Sequence, residues 1–303
     1  MSTQVNKRKI VDSLSQNVFR SVTIFVALLF FGIILVLLIK SWPVLSSHSI
    51  VELLFKSNWN PDIRQYGFYP AIVSTFFVTF TAMLISIPVS LLTAIFISEY
   101  TNENWKQILS SIIDILAGIP SVVFGIVGLI VIVPFTADYL GPWINIQTTG
   151  MCVFSAAVVL SIMVFPIMIS LMVESFSSIP IELQEISFSL GANKLETIAR
   201  VLLKAASPGI ISAILLGFGR AFGETLAVAM VIGSKTTIPD SIFDAGQTLP
   251  SLIVNSFGEM MSIPEHQSAL LFVALILLVI VSIFNILARY VKKKVKKRWK
   301  YDN

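Results

Sequence analysis

The chain has 303 residues, of which 55% are hydrophobic and 13% are charged, and it carries a net charge of +4 at pH 7. Its mean hydropathy is +0.87. A soluble globular domain has about 25% charged residues, so this composition excludes a soluble enzyme or a soluble binding module. We therefore predict an integral membrane protein.

Six apolar runs are long enough to cross a hydrocarbon core about 30 Å thick, which takes roughly 20 helical residues. The first run follows a basic segment, as in a signal peptide, but no small-residue cleavage site follows it, so we expect a retained helix. The sequence thus predicts an all-α membrane protein with six transmembrane helices. The predicted spans are residues 22–39, 69–97, 109–135, 150–172, 210–232 and 268–290.

The distribution of lysine and arginine predicts the orientation. With a cytoplasmic N-terminus, 16 of the 21 basic residues fall in cytoplasmic segments, four in outside loops and one, Arg220, inside a span. The positive-inside rule therefore places both termini in the cytoplasm. We expect a cytoplasmic N-terminal segment at 1–20, a transmembrane domain at 21–290 and a basic tail at 291–303. The tail is typical of an orientation signal that attracts anionic membrane lipid, and we predict no nucleic-acid partner because no basic domain accompanies it.

The residues for a metal site, a cofactor site or catalysis are not apparent in the sequence. Cys152 is the only cysteine, so no internal disulfide is possible. His48 and His266 are far apart in sequence and lack clustered cysteines or carboxylates, so we predict no metal site. Without a G-x-x-x-x-G-K-[ST] run or a nucleophile with a matching base, we predict neither an ATP site, nor a cofactor, nor an enzyme.

The longest predicted cytoplasmic loop, residues 174–209, contains signals for two short helices. Pro180 suits the first turn of a helix, and Gly191 suits the left-handed conformation that ends one. Asn193 can cap the next helix, and Glu196, three residues later, can complete a capping box. We therefore predict a compact helix–glycine–helix elbow that faces the cytoplasm.

The first helix of this elbow has an apolar face formed by Leu183, Ile186 and Leu190 at spacings of three and four residues. Such a face is typical of an interfacial helix that lies on lipid headgroups. It also suits a docking helix that enters a groove of a cytoplasmic partner, with a carboxylate at the rim.

The segment from Glu185 to Gly191 resembles the EAA signature of ABC-importer permeases. In that signature an acidic residue and two small residues precede a glycine at the seventh position, and an aliphatic pair follows about ten residues later. Here Ile186 and Ser187 replace two alanines, and Lys204 replaces the usual proline. The resemblance implies that the elbow is the coupling helix that docks on an ATP-hydrolysing subunit. The residues it assigns to this coupling are Glu185, Ile186, Ser187, Leu190 and Gly191.

Longer segments narrow the family. FGRAFGETLAVAMVIG at 218–233 and AGIPSVVFG at 117–125 resemble the phosphate-import permeases of the PstC type, and the similarity extends over residues 59–289. The resemblance implies a MetI-like type I ABC importer permease fold in a bacterial inner membrane. It also implies a second permease of the PstA type, two copies of a cytoplasmic ATPase subunit and an extracytoplasmic phosphate-binding protein.

Two charged residues, Arg220 and Glu224, fall inside the fifth predicted span, where a charge costs at least a few kcal/mol. Their spacing of four places them on one helix face, where they can pair. The pair can be structural, or Arg220 can bind phosphate while Glu224 weakens that binding enough for release. The resemblance implies that both residues act in transport. Gly219 and Gly223 form a GxxxG spacing, which predicts close helix packing.

The third predicted span contains Gly118, Pro120 and Gly125, with Ser121 directly after the proline. A broken helix at this point would aim free N–H groups at an anion, as discontinuous transporter helices do, which makes Ser121 a further candidate for the substrate path. A plain proline kink explains the pattern equally well.

Several functions fit parts of the sequence. A phosphate ABC-importer permease explains both the elbow and the buried charges. A stand-alone, ion-coupled anion carrier explains the charges without the elbow, and a membrane scaffold explains the elbow without the charges. A permease for molybdate, tungstate or sulfate also stays open, because the soluble binding protein usually sets oxyanion specificity.

Overall fold

The computed structural model describes residues 2–260 and 262–298. The helices of this part of the chain are α1 (Ser2–Ser47), α2 (Ile50–Phe55), α3 (Tyr69–Tyr100), α4 (Glu103–Ala117), α5 (Ser121–Trp143), α6 (Val153–Ser177), α7 (Glu182–Ser189), α8 (Lys194–Gly223), α9 (Leu226–Ala229), α10 (Leu249–Met260) and α11 (Pro264–Arg298). A small antiparallel sheet pairs β1 (Trp59–Asn60) with β2 (Gln65–Tyr66). Six of the helices, α1, α3, α5, α6, α8 and α11, are long and apolar enough to cross a membrane, which confirms the predicted number of spans.

Three of the spans contain π-helical turns. One forms the last turn of α3 (Phe96–Tyr100), two lie in α5 (Gly128–Ile132 and Thr136–Leu140), and one lies near the start of α8 (Ile198–Leu202). Single π-turns inside α-helices occur frequently at functional sites. The turns of α3 and α8 therefore direct attention to the end of the molecule that carries the elbow.

Helix α6 lies at the centre of the larger hydrophobic core and packs against α3, α4 and α8. Small residues let these neighbours approach closely. A Cβ atom on Gly217 of α8 would lie 2.8 Å from the Sδ of Met168, and Ser86 of α3 donates to the carbonyl oxygen of Ser161 at 3.5 Å. Packing through small residues is typical of membrane helices. The unit formed by α3, α6 and α8 is thus the frame that positions the candidate site.

A second, smaller core joins α1, α2, the β-hairpin, α10 and α11. Both histidines lie here, since the ring of Tyr66 contacts His48 at 5.4 Å and His266 at 6.0 Å between centroids. The fold thus brings together residues that are distant in sequence. Among residues 2–260 and 262–298, no group of three His, Cys, Asp or Glu side chains could hold a metal ion. Burial raises the pKa of Tyr66 to about 12, so its hydroxyl stays protonated at physiological pH.

The third span differs from the prediction. The expected helix at 109–135 is two helices, because α4 ends at Ala117 and α5 begins at Ser121. Gly118 caps α4, and Pro120 has an extended backbone (φ −58°, ψ 140°) and no N–H to continue the hydrogen-bond ladder. The chain therefore leaves helical geometry between the two helices. The broken helix is confirmed, and the alternative of a plain kink is wrong.

The fifth span also differs from the prediction. It was expected at residues 210–232, but α8 runs from Lys194 to Gly223, and Glu224 has an extended backbone (φ −69°, ψ 130°). Hydropathy marks the apolar residues of a helix, whereas the helix itself begins at its N-terminal cap and ends here at a glycine, which has a low helix propensity. The charged pair therefore lies at a helix end and not within a continuous helix.

Candidate functional site

The elbow, residues 180–197, has the predicted helix–glycine–helix geometry. Helix α7 begins shortly after Pro180, and Gly191 has a left-handed φ of +87°. The side chain of Asn193 accepts from the N–H of Glu196 at 2.9 Å, and the Glu196 carboxylate accepts from the N–H of Asn193 at 3.0 Å. The glycine cap and the capping box are both confirmed.

A buried hydrogen bond joins the two helices of the elbow. The hydroxyl oxygens of Ser187 and Thr197 lie 2.9 Å apart, and both residues are buried. A buried hydroxyl without a partner is costly, so this pair favours one relative placement of α7 and α8. Ser187 therefore lies inside the elbow, where its role in coupling would be to fix the shape of the docking surface and not to contact a partner.

The surface of the elbow is apolar and uncovered by the rest of the chain. Leu190 is 83% exposed, Ile186 is 56% exposed, and Glu185 is exposed beside them. Contiguous exposed apolar side chains mark interaction surfaces. An open groove of about 520 Å³ runs along this surface, lined by Leu183, Ile186, Ser187, Leu190, Gly191, Ala192, Glu196, Arg200 and Val201.

Arg220 lies in the last turn of α8. Its Nε atom is buried without a hydrogen-bond partner, and Arg220 forms no ion pair with any residue that the structure describes. Leu216, one turn earlier, is 53% exposed, and Gly223 is exposed as well, so the chain leaves this face of α8 open. A guanidinium with an unused, partly desolvated donor is suited to bind an anion.

Glu224 does not pair with Arg220, contrary to the expectation from their spacing. Helix α8 ends at Gly223, between the two residues, so they do not share a helical face. Glu224 instead accepts a hydrogen bond from the backbone N–H of Ala227 at 3.3 Å, at the start of α9. A carboxylate at a helix N-terminus is favourable, so Glu224 serves as a cap in this conformation.

The two breaks of the membrane helices lie in neighbouring segments. Ser121 starts α5 after the break at Gly118, and α5 packs against α9, which follows the break at Glu224. The approach is close, since a Cβ atom on Gly125 would lie 3.0 Å from the Cα atom of Ala227. The fold thus brings the segments that carry Ser121 and Glu224 together, although they are about 100 residues apart in sequence.

The predicted close packing of Gly219 and Gly223 is not made within the described chain. A Cβ atom on Gly219 would meet only the Oδ1 of Asn285 at 4.0 Å, and one on Gly223 would meet nothing within 4 Å. The glycine that packs closely is Gly217, against α6. The GxxxG spacing therefore leaves a bare strip of backbone beside Arg220, open to another chain or to a ligand.

Sequence reasoning missed an aromatic cluster that anchors the same end of α8. Phe218 and Phe222 contact Phe284 of α11 at 4.8 and 5.3 Å between ring centroids. They also contact Phe80 and Phe76 of α3 at 5.6 and 5.5 Å. At 100° per residue, Arg220 lies about 160° around the helix from each phenylalanine. The spacing of four between the two phenylalanines is the signal that could have revealed this anchor.

Comparisons with known proteins agree with this architecture. Residues 86–297 match the family described as "Binding-protein-dependent transport system inner membrane component". The chain is 39% identical to a probable ABC transporter permease protein, YqgH, of Bacillus subtilis, over 82% of this chain and 79% of that protein. It is 32% identical to the phosphate transport system permease protein PstC of Haemophilus influenzae, over 93% of this chain and 94% of that protein.

The fold resembles that of solved importer permeases. A chain from inward-facing structures of the MetNI methionine ABC transporter superposes with a TM-score of 0.53, at 22% identity, over 75% of this chain and 93% of that chain. The MetI-like fold is therefore confirmed. The chain belongs to the binding-protein-dependent transport system inner membrane components, a family of multi-pass ABC-importer permeases, and it is similar over most of its length to their PstC-type members.

Proposed function

We propose that this chain is a membrane-spanning permease subunit of an ATP-driven importer of inorganic phosphate. Similarity to PstC permeases over more than nine tenths of both chains supports phosphate as the cargo. The observation that supports a phosphate site within this chain is the Nε atom of Arg220, which is buried without a hydrogen-bond partner among the described residues, on an open face of α8. Phosphate carries one to two negative charges, and the planar guanidinium fork matches its oxygens.

Ser121 and Glu224 complete the proposed substrate path. Ser121 lies in the first turn of α5, where N–H groups without helical partners favour an anion. Glu224 is a competitor of phosphate for positive groups, and its carboxylate is held by the N–H of Ala227 while Arg220 has no ion pair with any described residue. We infer that a shift of Glu224 toward Arg220 weakens the bound anion and favours its release.

The partners follow from the uncovered surfaces. A second permease of the PstA type would cover the open face of α8 and complete the path with its own residues. Two copies of an ATPase subunit would supply the energy, one of them docked on the elbow through Glu185, Ile186, Leu190 and the Gly191 turn. A phosphate-binding protein would deliver the cargo from the outside of a bacterial inner membrane, with both termini of this chain in the cytoplasm.

The experiment that tests the function is uptake of labelled phosphate into cells that lack their own high-affinity system. The cells express this chain with its cognate partner subunits, either unchanged or with Arg220→Ala. Arg289→Ala is the matched control, because Arg289 is exposed on α11 and has no proposed role. We expect uptake to be lost only in Arg220→Ala, while all subunits still copurify.

The opposite results are equally informative. Wild-type uptake in Arg220→Ala would remove Arg220 from the substrate path. Uptake without the ATPase subunit would favour a stand-alone carrier over an ABC importer. Competition of unlabelled molybdate or sulfate with labelled phosphate, at equal concentration, would assign the path to a broader class of oxyanions.

A further inference from the structure

Lys194 joins the elbow to the end of α3. Its Nζ donates to the backbone carbonyl of Glu99 and lies 4.5 Å from the centre of the Tyr100 ring. Both partners belong to the π-helical turn, Phe96–Tyr100, that ends α3. The lysine therefore makes a tertiary contact between two membrane helices. The residues that it joins, Lys194 and Glu99, are 95 positions apart in sequence.

The position of Lys194 within its own helix does not explain why a lysine is present there. Lys194 is the first residue of α8, where the positive end of the helix dipole disfavours a cation. Asn193 and Glu196 already cap that end without the lysine side chain. The carbonyl of Glu99, in contrast, lies at the C-terminal end of α3, where carbonyl groups lack helical partners and a cation is favoured. The lysine side chain thus stabilises the C-terminal end of α3 and not the start of α8.

The contact lies on a continuous route from the elbow to the broken helix. Beyond Tyr100 the chain turns directly into α4, whose other end is the break before Ser121. Helix α4 packs against α6, where Ser170 donates to the Oδ1 of Asp114 at 3.3 Å. The contact of Lys194 thus connects the elbow to the end of α3, and the chain connects that end through α4 to the segment that carries Ser121.

We propose that Lys194 is a positioning residue that makes the end of α3 and the arm α4 follow the elbow when the ATPase moves it. The inference rests on the proposed function of the elbow as the ATPase-docking element. Without the lysine side chain the elbow still forms, because neither the capping box nor the Ser187–Thr197 hydrogen bond involves it. The elbow then moves without α4, and ATP hydrolysis is separated from movement of the broken helix.

The test uses the assembled importer in lipid bilayers. Lys194→Met keeps an unbranched side chain one atom shorter but removes its charge and donors, whereas Lys194→Arg keeps the charge and the donors. Lys106→Met is the matched control: Lys106 also attracts the Glu99 carboxylate, but its side chain has no hydrogen bond or ion pair among the described residues. The readout is amide hydrogen exchange in α4, measured without nucleotide and with the ATPase trapped by ATP and vanadate.

We expect trapping to change the exchange of α4 in the wild type, in Lys194→Arg and in Lys106→Met. In Lys194→Met the change should be smaller by about threefold or more, as expected from the loss of the hydrogen bond to Glu99 and of one exposed cation–π contact, while ATPase binding stays at the wild-type level. Rescue by arginine would show that the effect depends on the charge and donors of the side chain, because both substitutions remove the native lysine, and normal ATPase binding in Lys194→Met separates transmission from a merely structural role.

Several outcomes overturn the proposal: a full response in Lys194→Met, an equal loss in Lys106→Met, no response in the wild type, or loss of ATPase binding in Lys194→Met. Failure of the proposed function has a different signature, because the exchange readout does not depend on the identity of the cargo. Phosphate that does not enter with the wild-type complex refutes the cargo, and normal ATPase binding in Leu190→Asp refutes the docking role of the elbow.

Discussion

The two ends of helix α8 are built in opposite ways. At its N-terminus the chain satisfies its own polar groups, through the Asn193–Glu196 capping box, the Ser187–Thr197 hydrogen bond and the Lys194–Glu99 contact. At its C-terminus, Arg220 has a buried donor without a partner among the described residues, and a Cβ atom on Gly223 would meet nothing within 4 Å. The polar groups of one end are therefore satisfied within the chain, whereas the charged group of the other end is suited to a partner that comes from outside it.

This difference assigns different tasks to the two ends. An end with satisfied polar groups and a fixed internal shape can move as one unit when a partner pushes on it. An end with an unpaired guanidinium can respond to an anion, because binding relieves the cost of the desolvated charge. We therefore expect substitutions at the elbow to alter assembly and local stability, and substitutions near Arg220 to alter transport in an assembled complex.

The largest expected effect comes from Leu190→Asp in the elbow. Burial of one leucine on docking contributes about 1.5–3 kcal/mol, and a buried carboxylate without a partner adds a further cost. We expect the affinity of the ATPase subunit to fall by roughly 100-fold, at 1.4 kcal/mol per factor of ten. The measurement is binding of the purified ATPase to this chain in nanodiscs.

Ser189→Asp is the control for that substitution. Ser189 is exposed on the same helix but does not line the groove. The substitution Ser189→Asp therefore introduces the same charge as Leu190→Asp, but beside the docking surface and not within it. We expect near-normal affinity for it. Equal losses in both variants would mean that charge repulsion, and not the apolar groove, decides docking.

Arg220→Lys is expected to have the next largest effect. Lysine keeps the positive charge but offers a point donor in place of the planar fork. Loss of one hydrogen bond to a charged group costs about 1.5–3 kcal/mol, so phosphate uptake should fall by roughly tenfold to 100-fold. Uptake at equal amounts of assembled complex is the measurement. Normal uptake in this variant would mean that only the positive charge of Arg220 matters and that the planar geometry of its donors does not. The difference between the two ends of α8 would then be smaller than we propose.

The sequence predicted the elbow well because its signals are local. Gly191, Asn193 and Glu196 act on groups within a few residues, and each acts in the expected way, whereas α7 begins two residues after Pro180, with Ile181 at its N-cap. Ser187 was assigned to coupling by resemblance, but its burial against Thr197 was not visible from spacing, since that contact depends on how two helices pack. Local signals therefore predict the turn of the elbow, whereas the packing of α7 against α8 determines which face of α7 is exposed.

Hydropathy, in contrast, failed at the other end of α8 and in the third span. Hydropathy treated 210–232 and 109–135 as continuous helices, because apolar residues continue through both breaks. The helix-breaking signals were present, in Gly118, Pro120 and Gly223, but composition does not say whether a proline kinks a helix or ends it. The pairing expected of Arg220 and Glu224 was wrong for this reason, since it assumed one uninterrupted helix.

The Ser187–Thr197 hydrogen bond tests whether the polar groups at the N-terminal end of α8 stabilise each other. Ser187→Ala leaves the hydroxyl of Thr197 buried without its partner, which costs about 1–3 kcal/mol. Adding Thr197→Val removes the second polar group, so the double variant should recover most of the lost stability. Thermal unfolding of the four proteins of this cycle gives the coupling energy. Additive losses would show that the two hydroxyls do not depend on each other.

The smallest expected effect is that of Asn193→Ala, which removes the side-chain cap of α8. Loss of an N-cap costs about 1 kcal/mol, so amide exchange in residues 194–197 should become faster by about fivefold. Asn193→Asp keeps the acceptor and should behave as the wild type. Because Lys194 still holds the elbow against α3, we expect ATPase binding and phosphate uptake to change by less than about twofold. A larger fall in uptake with normal ATPase binding would mean that the cap itself, and not only the lysine contact, carries the motion of the elbow into the membrane.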